Sequence, residues 1–377
     1  MTIEFGLLST HPPTRCGLAT FNAALAAQLT SAGVSGGVVR VAAAGDDQRC
    51  VPGVVHTWPA GTVGGWCGAA AALNVFDVAI VQHEYGIYPG TDGADVVRLL
   101  CQLTVPSIVV LHTVLAQPSA GQRFVLEQVV AACDAVVTMT GSGRDRLLLG
   151  YAVDPSKVSV IPHGVHQFSG APPPRPGRSQ LLTWGLLGPG KGIEWTLRAL
   201  AHLRDLDPAP RYTVAGQTHP KVVEREGEAY RDRLHRLGVQ LGVGHAVTYR
   251  ADYHDATMLS ALIASADVVV LPYDSREQVT SGVLIEAVAA GVPVVATSFP
   301  HAIELLTDGG GLLVPHRDPA ALAAAIRQTL AAPAHGRAEP GPAAGTVPWP
   351  AVAGCYEALA RRLLRAGVPT TLDAASA

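Results

Sequence analysis

Short runs of valine, isoleucine and leucine recur along this chain, and after nearly every one the apolar positions switch to helical spacing. Ile3–Ser9 reads as a first strand, followed by a loop from His11 to Gly17 and a helix from about Leu18 to Ser31. Further strands are predicted at Val38–Ala44, Val78–Gln82, Ser107–Leu111, Ala135–Thr140 and Val158–Ile161. Helices are predicted at Gly65–Phe76, Ala94–Leu103, Gln122–Ala132 and Gly143–Gly150. Strands alternating with helices at this interval predict a parallel, doubly wound sheet. Residues 169 to 179, SGAPPPRPGRS, carry too much proline and glycine for either periodicity and read as a linker. The alternation then restarts, with strands at 181–187, 211–215, 246–250, 268–272, 293–297 and 312–314. Helices fill the gaps near 193–204, 222–237, 256–265, 282–290, 301–306 and 319–330. A second Pro/Gly/Ala tract, 332 to 348, precedes Trp349 and a last helical pattern through Tyr356, Leu359 and Leu363.

The pattern therefore predicts an α/β chain of two doubly wound parallel-sheet domains, 1–168 and 181–345, joined by a linker at 169–180 and followed by a terminal helix at 346–366. A length of 377 residues supports two cores rather than one. Apolar residues make up 48% of the chain, which suits strands buried on both faces. The net charge of −3 gives no electrostatic reason to expect nucleic acid. No stretch approaches the ~18 uninterrupted apolar residues of a membrane span, which leaves room only for a peripheral membrane contact. The N-terminus lacks the basic and apolar regions of a signal peptide, so a cytoplasmic protein is expected. Six cysteines are scattered without CxxC spacing; most fall in apolar segments and read as small core residues.

Candidate chemistry collects just after the predicted strands, where ligands bind in such sheets. The richest segment is LTWGLLGPGKGIEWTLRALAHLR, residues 182 to 204. Its loop, Gly188-Pro189-Gly190-Lys191-Gly192, leads from a strand into an amphipathic helix. Glycines allow a close backbone approach, and helix N-terminal N–H groups attract anions. Lys191 is one of three lysines (with Lys157 and Lys221) against 24 arginines. The loop is a phosphate-binding candidate, although a tight turn with a solvated lysine has the same local pattern. Gly185-x4-Gly190-Lys191 also matches the opening of a Walker A loop, but Gly192 stands where the magnesium-ligating Ser or Thr would be.

Gly216-Gln217 follows a second strand, and LPYDSREQVTSGVLIEA (271–287) follows a third. There Thr280 or Ser281 can cap a helix, leaving the N–H groups of Gly282 and Val283 for a phosphate. Glu286, four residues after Gly282, can accept hydroxyl hydrogen bonds from a ribose. Taken singly, Ser281 is more often only a cap and Glu286 a solvated helix residue; with Lys191 at the same sheet edge, nucleotide binding is the better reading. In the first half His83, His112 and His163 follow strands, and three histidines so placed argue against simple core packing. They lie far apart and lack metal-ligand spacing, so no metal is expected. Thr14-Arg15-Cys16-Gly17-Leu18 forms one more glycine-bearing loop before a helix.

These segments together resemble the retaining glycosyltransferases of family 4, which have the GT-B architecture of two Rossmann-like domains facing a cleft. The resemblance is carried by STHPPTRCGLATF, QHEYGIY, VVLHTVL, VIPHGV, GLLGPGKGIE, ADVVVLPY, SGVLIEAVAAGVPVVAT and GLLVP, in that order along nearly the whole chain. It implies an acceptor domain, a nucleotide-sugar domain and a cross-over helix after Trp349. It implies a nucleoside-diphosphate sugar donor (a UDP- or GDP-hexose), an acceptor hydroxyl of unknown identity, no cofactor and no metal. By position, Lys191 would neutralise the leaving diphosphate, with Gly190, Ser281, Gly282 and Val283 around it. Glu286 would hold the ribose, and Gln217 would line the same edge. Gly17 would close over the diphosphate, and His83 and His112 would lie near the sugar or the incoming hydroxyl. Attack from the front face, with no protein nucleophile, would retain the anomeric configuration.

Two positions depart from the family pattern. A carboxylate is expected eight residues before Glu286, where this chain has Gln278 with Glu277 beside it. An arginine is expected a few residues before the loop lysine, where this chain has Gly188-Pro189-Gly190. Arg15 and Arg276 are replacements by location only. The alternatives are a GT-B-shaped protein that binds a nucleotide sugar without turnover, which Gln278 favours, or another GT-B enzyme such as an epimerase or phosphorylase.

Overall fold

In the computed structural model the described residues are 2–30, 36–42, 51–166, 177–252, 256–307, 309–332 and 345–366. The chain divides into two compact units. Unit 1 comprises Met1–Gly164 together with Trp349–Ala377, and unit 2 comprises Val165–Pro348. Most of the tract read as a linker, and most of the second Pro/Gly/Ala tract, lies outside the described residues.

Unit 1 is built on strands β1 (Phe5–Ser9), β2 (Gly36–Ala42), β3 (Val54–Pro59), β4 (Val78–His83), β5 (Ser107–Leu111), β6 (Ala135–Thr138) and β7 (Val158–Val160). All are parallel, in the order β3-β2-β1-β4-β5-β6-β7. Crossovers run through α1 (Gly17–Thr30), α2 (Gly65–Leu73), α3 (Asp95–Leu100), α4 (Ala120–Ala132) and α5 (Gly141–Gly150). Strand β3 is absent from the predicted elements. Its VVHTWP sequence is an edge strand with one fully buried side chain, Trp58, so it lacks a continuous apolar run.

Two-residue strands β8 (Gly164–Val165) and β15 (Val347–Pro348) lie where the chain passes between units. Unit 2 contains β9 (Gln180–Trp184), β10 (Arg211–Ala215), β11 (Val247–Arg250), β12 (Val268–Leu271), β13 (Val294–Thr297) and β14 (Gly311–Val314). They form a parallel sheet ordered β11-β10-β9-β12-β13-β14. Its helices are α6 (Ile193–Ala201), α7 (Pro220–Glu226), α8 (Ala229–Gln240), α9 (Ala256–Ala264), α10 (Gly282–Ala289), α11 (Pro300–Leu306) and α12 (Pro319–Ala331). The last helix, α13 (Trp349–Ala366), belongs to unit 1, where Trp349 meets Phe21 of α1 at 5.1 Å between ring centroids.

Alternate strand residues of unit 2 enter different cores. Leu181, Val268 and Val270 join one with α6, α8 and α12, while Leu182, Val269 and Leu271 join the other with α9, α10 and α11. Both faces of the sheet are thus covered, which is why the strands read as unbroken apolar runs.

Three local expectations change. The helix read at 222–237 is two helices, because Gly227 turns the chain at φ 60°. The strand read at 181–187 ends at Trp184, since Gly185 takes φ 119°; beyond it Leu187 keeps only a single parallel bridge to Thr218. Among the described cysteines only Cys133 is buried, whereas Cys67, Cys101 and Cys355 are exposed; Cys50 lies outside the described residues. The apolar segments holding those three are helices, and each cysteine falls on or beside the outward face.

Candidate functional site

Strand order reverses between β9 and β12 in unit 2 and between β1 and β4 in unit 1. At such switch points neighbouring crossovers leave on opposite faces and open a crevice at the strands' carboxyl ends. In unit 2 the two loops at this point are 185–192 and 272–281.

The glycine loop is fixed by contacts that specify its residues. Gly192 has φ 65° and caps α6, and a Cβ there would lie 1.7 Å from the Pro272 carbonyl oxygen. No Ser or Thr fits, so the Walker A pattern fails for a packing reason as well as a chemical one. The Asp274 N–H donates to the Gly190 carbonyl at 2.9 Å. The Asp274 carboxylate accepts from Trp195 Nε1 at 2.9 Å and from Arg317 Nε at 3.1 Å. Gly190 itself has φ 92°. Lys191 Nζ lies 4.4 Å from the Tyr273 ring centroid, a cation–π contact that holds the ammonium near the end of β12.

Helix α10 starts beside this loop. Ser281 Oγ accepts from the Leu284 N–H at 3.3 Å, and the Ser281 N–H donates to His301 Nδ1 at 2.8 Å. That leaves the N–H groups of Gly282 and Val283 at the helix start, where the helix dipole presents positive charge. A Cβ on Gly185 would be 3.6 Å from Val283 Cγ2, so this helix start borders the loop after β9. Gln278 Nε2 donates to the Thr280 carbonyl at 3.0 Å, and the Gln278 carbonyl accepts from His301 N–H at 3.3 Å.

Glu286 is partly buried one turn further on. Burial raises its carboxyl from 4.5 to about 7, and a hydrogen bond from Trp184 at the end of β9 offsets part of that rise. On the other side, the Gln217 carbonyl accepts from Leu187 N–H at 2.8 Å, joining the loop after β10 to the glycine loop. Unit 2 therefore brings Gly190, Lys191, Gln217, Gln278, Ser281, Gly282, Val283 and Glu286 to one sheet edge. Arg276 is exposed on the 272–281 loop.

Trp184, Asp274 and His301 shape this edge without having been singled out in the sequence. The signal for Trp184 is weak: it is an indole ending a strand, 5% exposed. His301 is 4% exposed and enters from α11, twenty residues from its partner.

In unit 1, Gly17 begins α1, and among the described residues nothing lies within 4 Å of a Cβ placed there. Arg15 is exposed two residues before it. His83 ends β4 and is 1% exposed, its Nδ1 has no hydrogen-bond partner among the described residues, and burial pushes its pKa down to about 4. His112 donates from Nε2 to Gln82 Oε1 at 2.8 Å. Burial, then the nearby His163 and His83, pushes its pKa down to about 3. Phe21 meets the His112 ring edge-on at 4.9 Å and the His163 ring at 5.0 Å. Packing and strand-end placement thus coincide in these histidines, and both His83 and His112 are neutral at ordinary pH. No group of three or more metal-ligating side chains occurs among the described residues. No helix among them is long and apolar enough to cross a membrane.

Two Rossmann-like parallel-sheet units on one chain, the second with an anion-attracting edge at its switch point, define an α/β protein of the GT-B class. Comparison with known proteins is consistent throughout. Residues 16–167 match the family model described as Glycosyltransferase Family 4, and residues 178–332 match that of Glycosyl transferases group 1. The chain belongs to this glycosyltransferase family. D-inositol 3-phosphate glycosyltransferase of Streptomyces bingchenggensis is 32% identical over 55% of this chain and 47% of its own length. Glycogen synthase of Mycobacterium tuberculosis is 31% identical over 54% and 47%. The matched region thus spans about half the length of these relatives. Among solved structures, sucrose-phosphate synthase from Thermosynechococcus elongatus has a TM-score of 0.76 at 21% identity, covering 97% of this chain and 100% of its own. HepE of Anabaena in complex with UDP and glucose has a TM-score of 0.69 at 16% identity, covering 96% and 95%.

Proposed function

We propose that this protein transfers a hexosyl group from a nucleoside-diphosphate sugar to an acceptor hydroxyl, with retention of configuration and without a metal ion. The observation that carries the reading is the convergence of Lys191, the start of α10 and the carboxylate of Glu286 at the switch point of unit 2. As the glycosidic bond to the donor phosphate breaks, negative charge grows on the leaving diphosphate. A fixed ammonium and two aligned N–H groups stabilise that charge more than they stabilise the ground state. In this reading Glu286 accepts from the ribose hydroxyls and Gln217 and Gln278 line the donor. Gly17, His83 and His112 act from unit 1, the two histidines as neutral hydrogen-bonding groups rather than as cationic acids. The names of the neighbours support a nucleotide-sugar donor, for which UDP- and GDP-hexoses are the candidates: HepE structures hold UDP, UDP-glucose, or UDP with glucose.

The test is turnover and donor binding with UDP- and GDP-hexoses in the presence of EDTA. Lys191→Ala is expected to remove most turnover while the melting temperature stays unchanged; wild-type activity in that variant removes the diphosphate role. One observation favours a second reading, binding without turnover: Gln278 stands where a carboxylate is expected and commits its amide to Thr280. Tight donor binding with neither transfer nor slow donor hydrolysis, across sugar, lipid and small-metabolite acceptors, would select it.

A further inference from the structure

The proposed donor site lacks the arginine that the family resemblance leads one to expect a few residues before Lys191, and the loop after β10 brings another side chain beside the glycine loop. A Cβ added at Gly188 would come within 3.0 Å of Val222 Cγ2 and 4.0 Å of His219 Cβ. The space that a side chain at 188 would enter is thus bordered by the loop after β10. That loop is fastened to the glycine loop by Leu187 N–H to the Gln217 carbonyl and His219 N–H to the Leu187 carbonyl, both 2.8 Å. It is held from behind by Arg231, whose Nη2 donates to the Gly216 carbonyl at 2.8 Å, and by Thr218, whose hydroxyl donates to Glu228. A Cβ on Gly216 would lie 2.0 Å from the Gly185 carbonyl oxygen, so the two loops touch backbone to backbone.

The tautomer of His219 follows from its cap. Nδ1 accepts from the Lys221 N–H at 3.2 Å, so it carries no proton, and Nε2 on the opposite edge of the ring is an N–H donor. The ring is partly exposed. Desolvation first, then the charges of Lys221 and Lys191, keep it neutral. A neutral donor beside a fixed ammonium adds a hydrogen bond to an anion without adding charge repulsion to Lys191.

We infer that His219 is a second diphosphate ligand, donating Nε2–H to a phosphate oxygen beside Lys191 at an edge that has no loop arginine. This rests on the proposed donor site. The bland role, capping α7, and the proposed one use different ring nitrogens, so two substitutions separate them. His219→Asn keeps an acceptor at the Nδ1 position and loses the distal donor. His219→Gln keeps an amide N–H near the Nε2 position and loses the cap.

Calorimetric titration of UDP and GDP in EDTA, with melting temperatures taken alongside, reads the difference. Expected for His219→Asn is a loss of roughly tenfold or more in nucleoside-diphosphate affinity, the scale of one hydrogen bond to a charged group. Its melting temperature stays near wild type, and uridine or guanosine binds unchanged. His219→Gln is expected to keep affinity within about threefold despite a lower melting temperature. Wild-type affinity in His219→Asn, or losses in both variants that follow stability alone, would overturn the inference and leave the donor site standing. If the wild-type protein takes up no nucleoside diphosphate at all, the proposed function falls and this assignment falls with it.

Discussion

Glu286→Gln should make the protein more stable in alkaline buffer while weakening its grip on a donor. The carboxyl is raised from 4.5 to about 7 by burial, with the Trp184 hydrogen bond acting the other way. Well below pH 4.5 it is protonated in both folded and unfolded chains and adds no pH-dependent difference. As pH rises past 4.5 the unfolded chain releases its proton first, so folded stability declines until the folded group also ionises near 7. A shift of this size amounts to about 1 kcal/mol at pH 5 and about 3 kcal/mol at pH 8. A neutral glutamine of the same shape escapes that decline and can still accept the indole hydrogen bond. Urea unfolding of wild type and variant at pH 5, 6, 7 and 8 is the assay. The variant's advantage should grow by roughly 2 kcal/mol across the range, or several degrees in the melting temperature of unit 2. A stability difference independent of pH would refute the reasoning, because it would mean the folded carboxyl titrates as it does unfolded. The same logic fixes the sign for ligand binding. If ionised Glu286 accepts ribose hydroxyls, donor affinity should rise with pH until about 7 is passed and then level off. The glutamine variant should bind weakly at every pH. A carboxylate that lowers stability at neutral pH is the kind of residue that function retains and stability selection would replace.

Other outcomes follow from the same edge. Trp184→Phe removes the one interaction that lowers the Glu286 pKa, so the pH midpoint of donor binding should move upward; a calorimetric pH series that does not move counts against the indole contact. Gly192→Ser, which would complete the Walker A pattern, should instead cost about 2 kcal/mol or more through left-handed strain and collision with Pro272. Thermal unfolding measures the loss, and nucleotide hydrolysis in magnesium should stay at background. Asp274→Ala removes the carboxylate shared by Trp195 and Arg317, leaving Gly190 only the backbone N–H of residue 274, and should weaken pyrophosphate and nucleoside-diphosphate binding about tenfold with a stability loss of about 1–2 kcal/mol. Full affinity in that variant would show that the loop holds its shape unaided.

What could be read from the sequence divides along physical lines. Parallel strands buried on both faces announce themselves as apolar runs, so twelve of the thirteen strands in the two large sheets were legible, and the exception, β3, lies at a half-exposed edge. Residues whose chemistry is local in sequence were legible too: Lys191 follows its glycines, and Ser281 caps the helix that carries Gly282, Val283 and Glu286. The supports were not, because each acts across a long separation. Asp274 grips a loop eighty-four residues earlier, Trp184 lies 102 residues before Glu286, and His301 reaches back twenty residues to Ser281. None has a spacing that a single sequence exposes. The same holds for His219. It lies between Gly216-Gln217 and the helix read from 222, and only the pairing of Leu187 with the loop after β10 sets it beside Gly188. The departure at Gly188-Pro189-Gly190 looked like a loss when read along the chain. Read across the sheet edge, a side chain at 188 would crowd Val222, and the adjoining position is filled by a neutral ring held in one tautomer by its own helix cap. An arginine introduced at 188 should therefore crowd Val222 and displace His219 rather than simply add a second cation to the edge.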